Sequence, residues 1–280
     1  MNIFTLLILL PLINSYYFPT PIIHNDLHGY SYRYNYNYSC LFSKKKSQEQ
    51  DKNVKITPKT PGQQVYWNNL KNNNIKILLG IGPAGTGKTF LACQYAIQML
   101  NTNTIDKIIL TRPLVSTDEE LGFLPGNLMK KMDPWTKPLF DALKESYSAT
   151  DVDNLLKKEV IEICPLAYMR GRTFKNALII ADEMQNSTPN QMYMLVSRLG
   201  ENARLVITGD LQQSDLKEVN GLTDINSRIL HYKSVIFNNN EEDFSVKTGI
   251  KISKLEKIDI QRSQIVANII HLYDCTNRFI

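Results

Sequence analysis

The sequence predicts an α/β fold, a single parallel sheet flanked by helices, and three observations predict it. From Thr60 onward, short apolar runs of strand length alternate with longer stretches of helical period. The first of those runs, residues 75–81, opens directly onto a glycine-rich loop with the spacing of a phosphate-binding loop. A later run, residues 177–181, closes on two adjacent acids, Asp182 and Glu183, at the strand end where ligands collect in open parallel sheets.

Taken in order, the chain begins with an almost unbroken apolar run, residues 3–13, bounded by Asn2 and Asn14. It is too short to span a bilayer and suits the centre of a signal peptide, with Ser15 as the cleavage residue. No lysine or arginine precedes it, so an uncleaved anchor and a buried strand stay open as readings. Residues 16–57 are rich in Tyr, Asn, Ser and Lys, hold few acids and show no period. They resemble a transit peptide, with a disordered linker as the plainer alternative. The expected organisation is therefore a signal peptide over 1–15, a transit-like or disordered segment over 16–57, and one folded domain over 58–280. That order predicts delivery to an organelle, a plastid of the multi-membrane type, with a cytoplasmic address as the alternative. No stable membrane span is expected in the mature protein.

The presequence also carries most of the charge. Residues 1–59 hold seven Lys or Arg against three Asp or Glu, which leaves 25 against 24 in residues 60–280, and the formal charge of +5 falls to +1. A broad basic surface is thereby excluded as an argument for nucleic-acid binding. Cys40, Cys93, Cys164 and Cys275 are scattered without a Cys-x-x-Cys pair and read as reduced, packed thiols.

In the folded part, strands are expected at 75–81, 107–111, 160–164, 177–181 and 203–208, with a helix over 90–100 and a polar, helical decoration over 125–153. About seventy residues follow the last of these strands, too few for a second core of similar size. In the loop Gly82, Pro83, Ala84, Gly85, Thr86, Gly87, Lys88 and Thr89, the glycines let backbone N–H groups and the next helix turn toward an anion. Lys88 is placed to reach the β- and γ-phosphates of a nucleoside triphosphate, and Thr89 to put its hydroxyl on Mg²⁺. A glycine turn beside a surface lysine would be the plainer reading, but the strand before and the helix after favour the nucleotide.

Asp182 suits the Mg²⁺ shell and Glu183 the general base that polarises a water. Gln185 is close enough in sequence to contact the nucleotide or a moving segment. The strand at 203–208 runs into Gly209, where Gln213 is a candidate sensor of the γ-phosphate. Asp210 and Asp215 read as caps.

Six segments in order carry a resemblance: the loop at 82–89; Thr111-Arg112-Pro113; Leu121-Gly122-Phe123-Leu124-Pro125-Gly126; Pro165 to Thr173 around Tyr168, Arg170 and Arg172; Asp182-Glu183-Met184-Gln185-Asn186; and Thr208 to Leu216. Their order and wording resemble PhoH-like proteins, RecA-like ATPases related to superfamily 1 helicases, over residues 58–270. The resemblance implies ATP hydrolysis, a place in RNA metabolism with helicase-like remodelling, and an endoribonuclease of ribosome maturation as partner. It makes Lys88 and Thr89 phosphate and magnesium ligands, Asp182 and Glu183 the second nucleotide motif, and Gln213 the sensor. Thr60 and Gln63 match a threonine and glutamine ahead of the loop, with Gln63 as the adenine-reading residue.

The sequence departs from the family at three places. Met184 stands where alanine is usual, residues 238–249 look like a polar insertion, and Arg262-Ser263-Gln264 stands for Arg-His-Pro. Related helicases complete the site with an arginine from a second core, which this chain lacks. The charge is then expected from Arg262, from Arg170 or Arg172, or from a neighbouring subunit of a homo-oligomer. Arg112, Arg170 and Arg172, with Tyr168 interleaved, are alternatively RNA contacts. Three functions follow: an ATPase acting on RNA, a nucleotide-gated protein that recruits a nuclease, or a small-molecule kinase. Asp182, Glu183 and Gln213 suit activation of water and so favour the first over the third.

Overall fold

The computed structural model describes residues 58–113, 133–214 and 219–261, and the presequence readings lie outside them. Within these residues, branched apolar runs form six strands: β1 (Ile77–Ile81), β2 (Lys107–Arg112), β3 (Ile161–Pro165), β4 (Ala177–Ala181), β5 (Arg204–Gly209) and β6 (Ile250–Lys254). All pair in parallel, in the order β3-β2-β4-β5-β1-β6. Every residue of β4 and β5 is buried, as expected where helices cover both faces of a parallel sheet.

The helices are α1 (Pro61–Lys71), α2 (Lys88–Asn101), α3 (Asp133–Ser146), α4 (Ala149–Lys157), α5 (Pro189–Val196), α6 (Gly221–Phe237) and α7 (Glu241–Thr248). Side chains alternate across each strand, so Leu79, Ile109, Ile179, Leu205 and Ile207 share one face. They pack with Met192 and Leu195 of α5, Leu222 and Ile229 of α6, and Phe244 of α7. On the other face α2 lies against β2, β4 and β5, and α3 packs on α2. Leu139, Phe140, Ala142 and Leu143 are buried, which makes α3 part of the core more than the decoration expected over 125–153. Among the described residues no helix is long and apolar enough to cross a membrane.

The five expected strands are present within two residues of their expected ends. The expected polar insertion at 238–249 is α7, capped by Asn240 and closed by Gly249 in the left-handed conformation at φ 68°. It leads into β6, which the sequence reading lacked. Ile250, Lys251, Ile252, Ser253 and Lys254 alternate apolar and polar and so read as surface, although Ser253 is buried at the sheet edge and accepts from the Asn69 side chain of α1 at 2.7 Å. Cys93 and Cys164 are buried free thiols, as expected, and burial pushes the Cys164 thiol up to about 12.

One buried charge fastens helices to the sheet. Arg204, 5% exposed, donates from Nε to the Ile75 carbonyl at 2.9 Å, from Nη1 to the Tyr95 hydroxyl at 2.7 Å, and from Nη2 to the carbonyls of Leu70 at 2.8 Å and Asn72 at 3.2 Å. The guanidinium thus satisfies the Leu70 carbonyl at the end of α1, whereas the Asn72 carbonyl also accepts from Ile75 N–H at 3.1 Å.

Because β5 lies between β1 and β4, the loop after β1 and the acids after β4 are held two strand spacings apart, roughly 10 Å. The carboxyl end of β5 fills the floor of the resulting cleft.

Candidate nucleotide site

The loop after β1 needs its glycines. Gly85 and Gly87 take φ values of 85° and 82°, a conformation that disfavours side chains. At Gly82 an added Cβ would lie 2.3 Å from the Leu255 carbonyl oxygen, so the chain leaving β6 passes directly against the loop. Gly87 caps α2 without a side-chain bond, which leaves the first N–H groups of that helix turned toward the loop.

Lys88, the first residue of α2, is buried. Its Nζ donates to the Gly82 carbonyl at 2.6 Å, the Pro83 carbonyl at 2.8 Å and the Thr86 hydroxyl at 3.4 Å. Burial lowers its pKa, while the charges of Glu183, Asp210 and Asp182 oppose that shift. The ammonium is therefore stored on its own loop, in the field of three carboxylates.

Across the cleft, two hydroxyls converge on one carboxylate oxygen. Thr89 donates to Asp182 Oδ1 at 2.6 Å and Thr208 donates to the same atom at 2.5 Å. Asp182 is in turn fixed by its backbone N–H, which donates to the Thr111 carbonyl at 2.9 Å. Such an all-oxygen set fits Mg²⁺, which takes one or two carboxylates and leaves the remaining positions to water and phosphate. Among the described residues no three His, Cys, Asp or Glu side chains group as an all-protein metal cage.

Glu183 follows Asp182 with φ 52° and ψ 43°, a left-handed conformation that costs a non-glycine residue about 1–3 kcal/mol. It is half-buried, and the Gln185 side-chain amide donates to its carboxylate. Gln213 is exposed, in the turn after β5. Arg262 and the segment 121–126 lie outside the described residues.

Gln63 is buried beside the loop, with Nε2 donating to the Thr86 carbonyl at 3.1 Å and the Asp259 carbonyl at 3.4 Å, and Oε1 accepting from Lys59 N–H at 2.9 Å. In this arrangement it braces the loop. Sequence reasoning missed Thr208, a threonine ending an apolar strand. It also missed Asp259, 2% exposed, whose carboxylate accepts from the Thr60 hydroxyl at 2.5 Å, Gly62 N–H at 3.2 Å and Glu256 N–H at 2.8 Å. A further bond runs from Gln261 N–H to the Gly85 carbonyl at 2.9 Å. No local pattern marks Asp259, because its partners at Thr60 and Gly62 stand almost two hundred positions away.

The arginines separate. Arg112 ends β2 at the carboxyl edge of the sheet, beside Thr111, and Arg170 is exposed after the 3₁₀ turn Leu166–Met169. Arg172 lies at the opposite, amino edge: it pairs with Glu162 at 2.5 and 2.8 Å and stacks over the Phe174 ring at 4.6 Å. Arg172 is thus removed from the nucleotide cleft of its own core.

A glycine loop feeding a helix, a lysine stored on that loop, and a hydroxyl and carboxylate facing it across a parallel sheet define a P-loop nucleotide-binding protein. The family model described as PhoH-like protein matches residues 55–274, and the chain belongs to that family. It is 43% identical over 233 residues to a PhoH-like protein of Bacillus subtilis (strain 168), covering 82% of this chain and 68% of that one. It is 38% identical over 202 residues to Protein PhoH of Escherichia coli (strain K12), covering 71% of this chain and 53% of that one. The chain therefore spans between about half and two thirds of the length of these relatives. A solved Pif1 helicase from Candida albicans is similar over 72% of this chain and 41% of its own, at 14% identity and a TM-score of 0.33, a likeness too slight to carry an argument.

Proposed function

We propose that the chain is a Mg²⁺-dependent ATPase whose hydrolysis serves RNA metabolism, through helicase-like remodelling. The observation that carries the ATPase reading is the convergence of Lys88, Thr89, Asp182 and Glu183 on one cleft, with β5 set between the two walls.

In this reading the N–H groups of the loop and of α2 take the β- and γ-phosphates, and Lys88 exchanges its carbonyl partners for phosphate oxygens. Thr89 and Asp182 hold Mg²⁺, which when bound neutralises charge on the phosphate oxygens. Glu183 orients and deprotonates the attacking water, and Gln213 reports the presence of the γ-phosphate. Gln63 contacts adenine once the base displaces one of its backbone partners. Arg262, next in the chain after Gln261 on the loop, is our candidate for the arginine that completes the site, with the neighbouring subunit of a homo-oligomer as the other source.

Arg112, Arg170 and the exposed Tyr168 are the side chains we assign to an RNA strand, and an endoribonuclease is the partner class that the family resemblance supports. The address we favour is a plastid reached through residues 1–57, to be tested by fusing that segment to a fluorescent reporter.

The direct test of the chemistry is Glu183→Gln. ATP should stay bound while turnover falls about 10²–10⁴-fold. Wild-type turnover would remove Glu183 from the role. Adding single-stranded RNA to the wild-type protein then separates functions: a stimulated ATPase rate supports remodelling, and an indifferent one supports a nucleotide-gated recruiter of a nuclease.

A further inference from the structure

We propose that Gln185 is a positioning residue that ties the water-activating carboxylate of Glu183 to the turn after β5, so that movement of that turn reorients the carboxylate. This rests on the ATPase reading above.

Gln185 sits in the 3₁₀ turn Met184–Asn186 and is 3% exposed. Its three polar groups reach two different parts of the site. Nε2 donates to Glu183 Oε2, while Oε1 accepts from Asp210 N–H at 3.2 Å. Its backbone carbonyl accepts from the Ser214 hydroxyl at 3.0 Å. The turn so gripped is itself closed by Gln212 N–H donating to Asp210 Oδ1 at 2.9 Å, and Gln213 stands between Gln212 and Ser214.

The backbone around this link is shaped to allow it. A Cβ on Gly209 would lie 2.6 Å from Gln185 Oε1 and 2.7 Å from Leu222 Cδ2, so glycine leaves the room that the amide occupies. On the other side Glu183 holds its left-handed backbone, and the Gln185 amide is the side-chain bond that fixes its carboxylate there.

A buried polar side chain needs partners in any protein, and packing alone would explain a satisfied glutamine. The identity of the partners carries the inference further. One is the carboxylate placed to act on water, the other is the backbone of the segment placed to meet the γ-phosphate. A primary amide is the group that donates at one end and accepts at the other. When a γ-phosphate draws the turn at 210–214, Asp210 N–H shifts against Oε1, the amide tilts, and Nε2 carries the Glu183 carboxylate with it toward the water.

Steady-state ATPase assays and fluorescent-ADP binding on the full chain test this, using Gln185→Met, Gln185→Glu, Gln213→Ala and the double variant Gln185→Met/Gln213→Ala. Loss of a hydrogen bond to a charged group predicts that Gln185→Met lowers kcat roughly tenfold to a hundredfold, with ADP affinity within about threefold of wild type. Gln185→Glu keeps the acceptor for Asp210 N–H and loses the donor to Glu183, so its kcat should fall at least as far. Because the two glutamines act through one link, the double variant should be no slower than the slower single variant.

Wild-type kcat in Gln185→Met, or losses that multiply in the double variant, would overturn the proposal. If Gln185→Met does not fold, Gln185→Glu is held to the same criteria, and failure of both to fold assigns Gln185 to packing and overturns it as well. The Glu183→Gln control keeps the two claims apart: if that variant turns over normally the ATPase reading fails, and if it is inactive while Gln185→Met is not, only the link fails.

Discussion

At the amino edge of the sheet, Arg204 commits its guanidinium to the carbonyls of Leu70, Asn72 and Ile75 and the Tyr95 hydroxyl, and Glu162 takes Arg172 together with Lys107. At the carboxyl edge, Lys88, Asp182, Glu183 and Asp210 crowd one cleft, where the lysine leans on carbonyls of its own loop and Asp182 draws two hydroxyls to one oxygen. The same kinds of charge thus serve opposite ends. Charges satisfied inside the fold hold helices to strands, and charges held by replaceable partners stay available to a ligand. The difference teaches where to look for stability and where to look for activity, and it can be broken at either edge.

The largest effect should come from Lys88→Ala. Removing the ammonium proposed to meet the phosphates should abolish turnover, a loss of at least about a hundredfold, while the melting temperature without nucleotide moves little. A variant that unfolds instead would make Lys88 a structural charge and erase the contrast between the edges.

Arg204→Met should show the reverse. It leaves the Leu70 and Ile75 carbonyls without the guanidinium, each worth about 1–3 kcal/mol when orphaned, and should lower the denaturation midpoint strongly. Nucleotide affinity of the folded fraction should remain near wild type. Equal damage to affinity would show that the amino edge shapes the cleft.

Asp259→Ala sharpens the comparison, because Asp259 is a satisfied charge at the active edge. Its loss strands the Thr60 hydroxyl and the N–H groups of Gly62 and Glu256. Both readouts should move: stability by about 1–3 kcal/mol, and nucleotide affinity several-fold, because Gln63 and the loop lose their backing.

The smallest effect is a pH dependence. Burial pushes the Glu162 carboxyl up, but the hydrogen bonds and charge of Arg172, with Lys107, outweigh it and hold it below the usual carboxylate range. A depressed carboxylate contributes stability that is present above its unfolded value, about 4.3, and is lost as pH falls through the lower folded value. Thermal melts of wild type and Glu162→Gln should therefore differ near neutrality and converge below about pH 4. Curves that stay apart in acid would mean that packing against Phe174, not charge, is what the pair supplies.

Legibility in the sequence followed the same division. The central strands were readable because a strand buried on both faces is a continuous apolar run, as in Ala177–Ala181. The edge strand β6 was not, since polar Lys251 and Ser253 break its apolar run even though Ser253 is buried against Asn69 of α1. The gathering of Lys88, Thr89, Asp182 and Glu183 at one cleft was readable because a phosphate-loop pattern sets those residue types at a fixed local spacing beside strand ends. Thr208, Asp259 and the reach of Gln185 to Asp210 were hidden, since each acquires its role only when distant segments close on one another. The separation of Arg172 from the cleft was equally hidden: chain order sets it among motif residues, and only the direction of β3 and β4 sends it to the far edge.

The bond from Gln261 N–H to the Gly85 carbonyl, together with Leu255 packed on Gly82, makes the segment leaving β6 a brace on the glycine loop. Leu255 N–H donates to the Ile81 carbonyl, and Gln63 Nε2 spans the carbonyls of Asp259 and Thr86, so segment 255–261 and the loop are laced at three places and a shift in either is felt by the other.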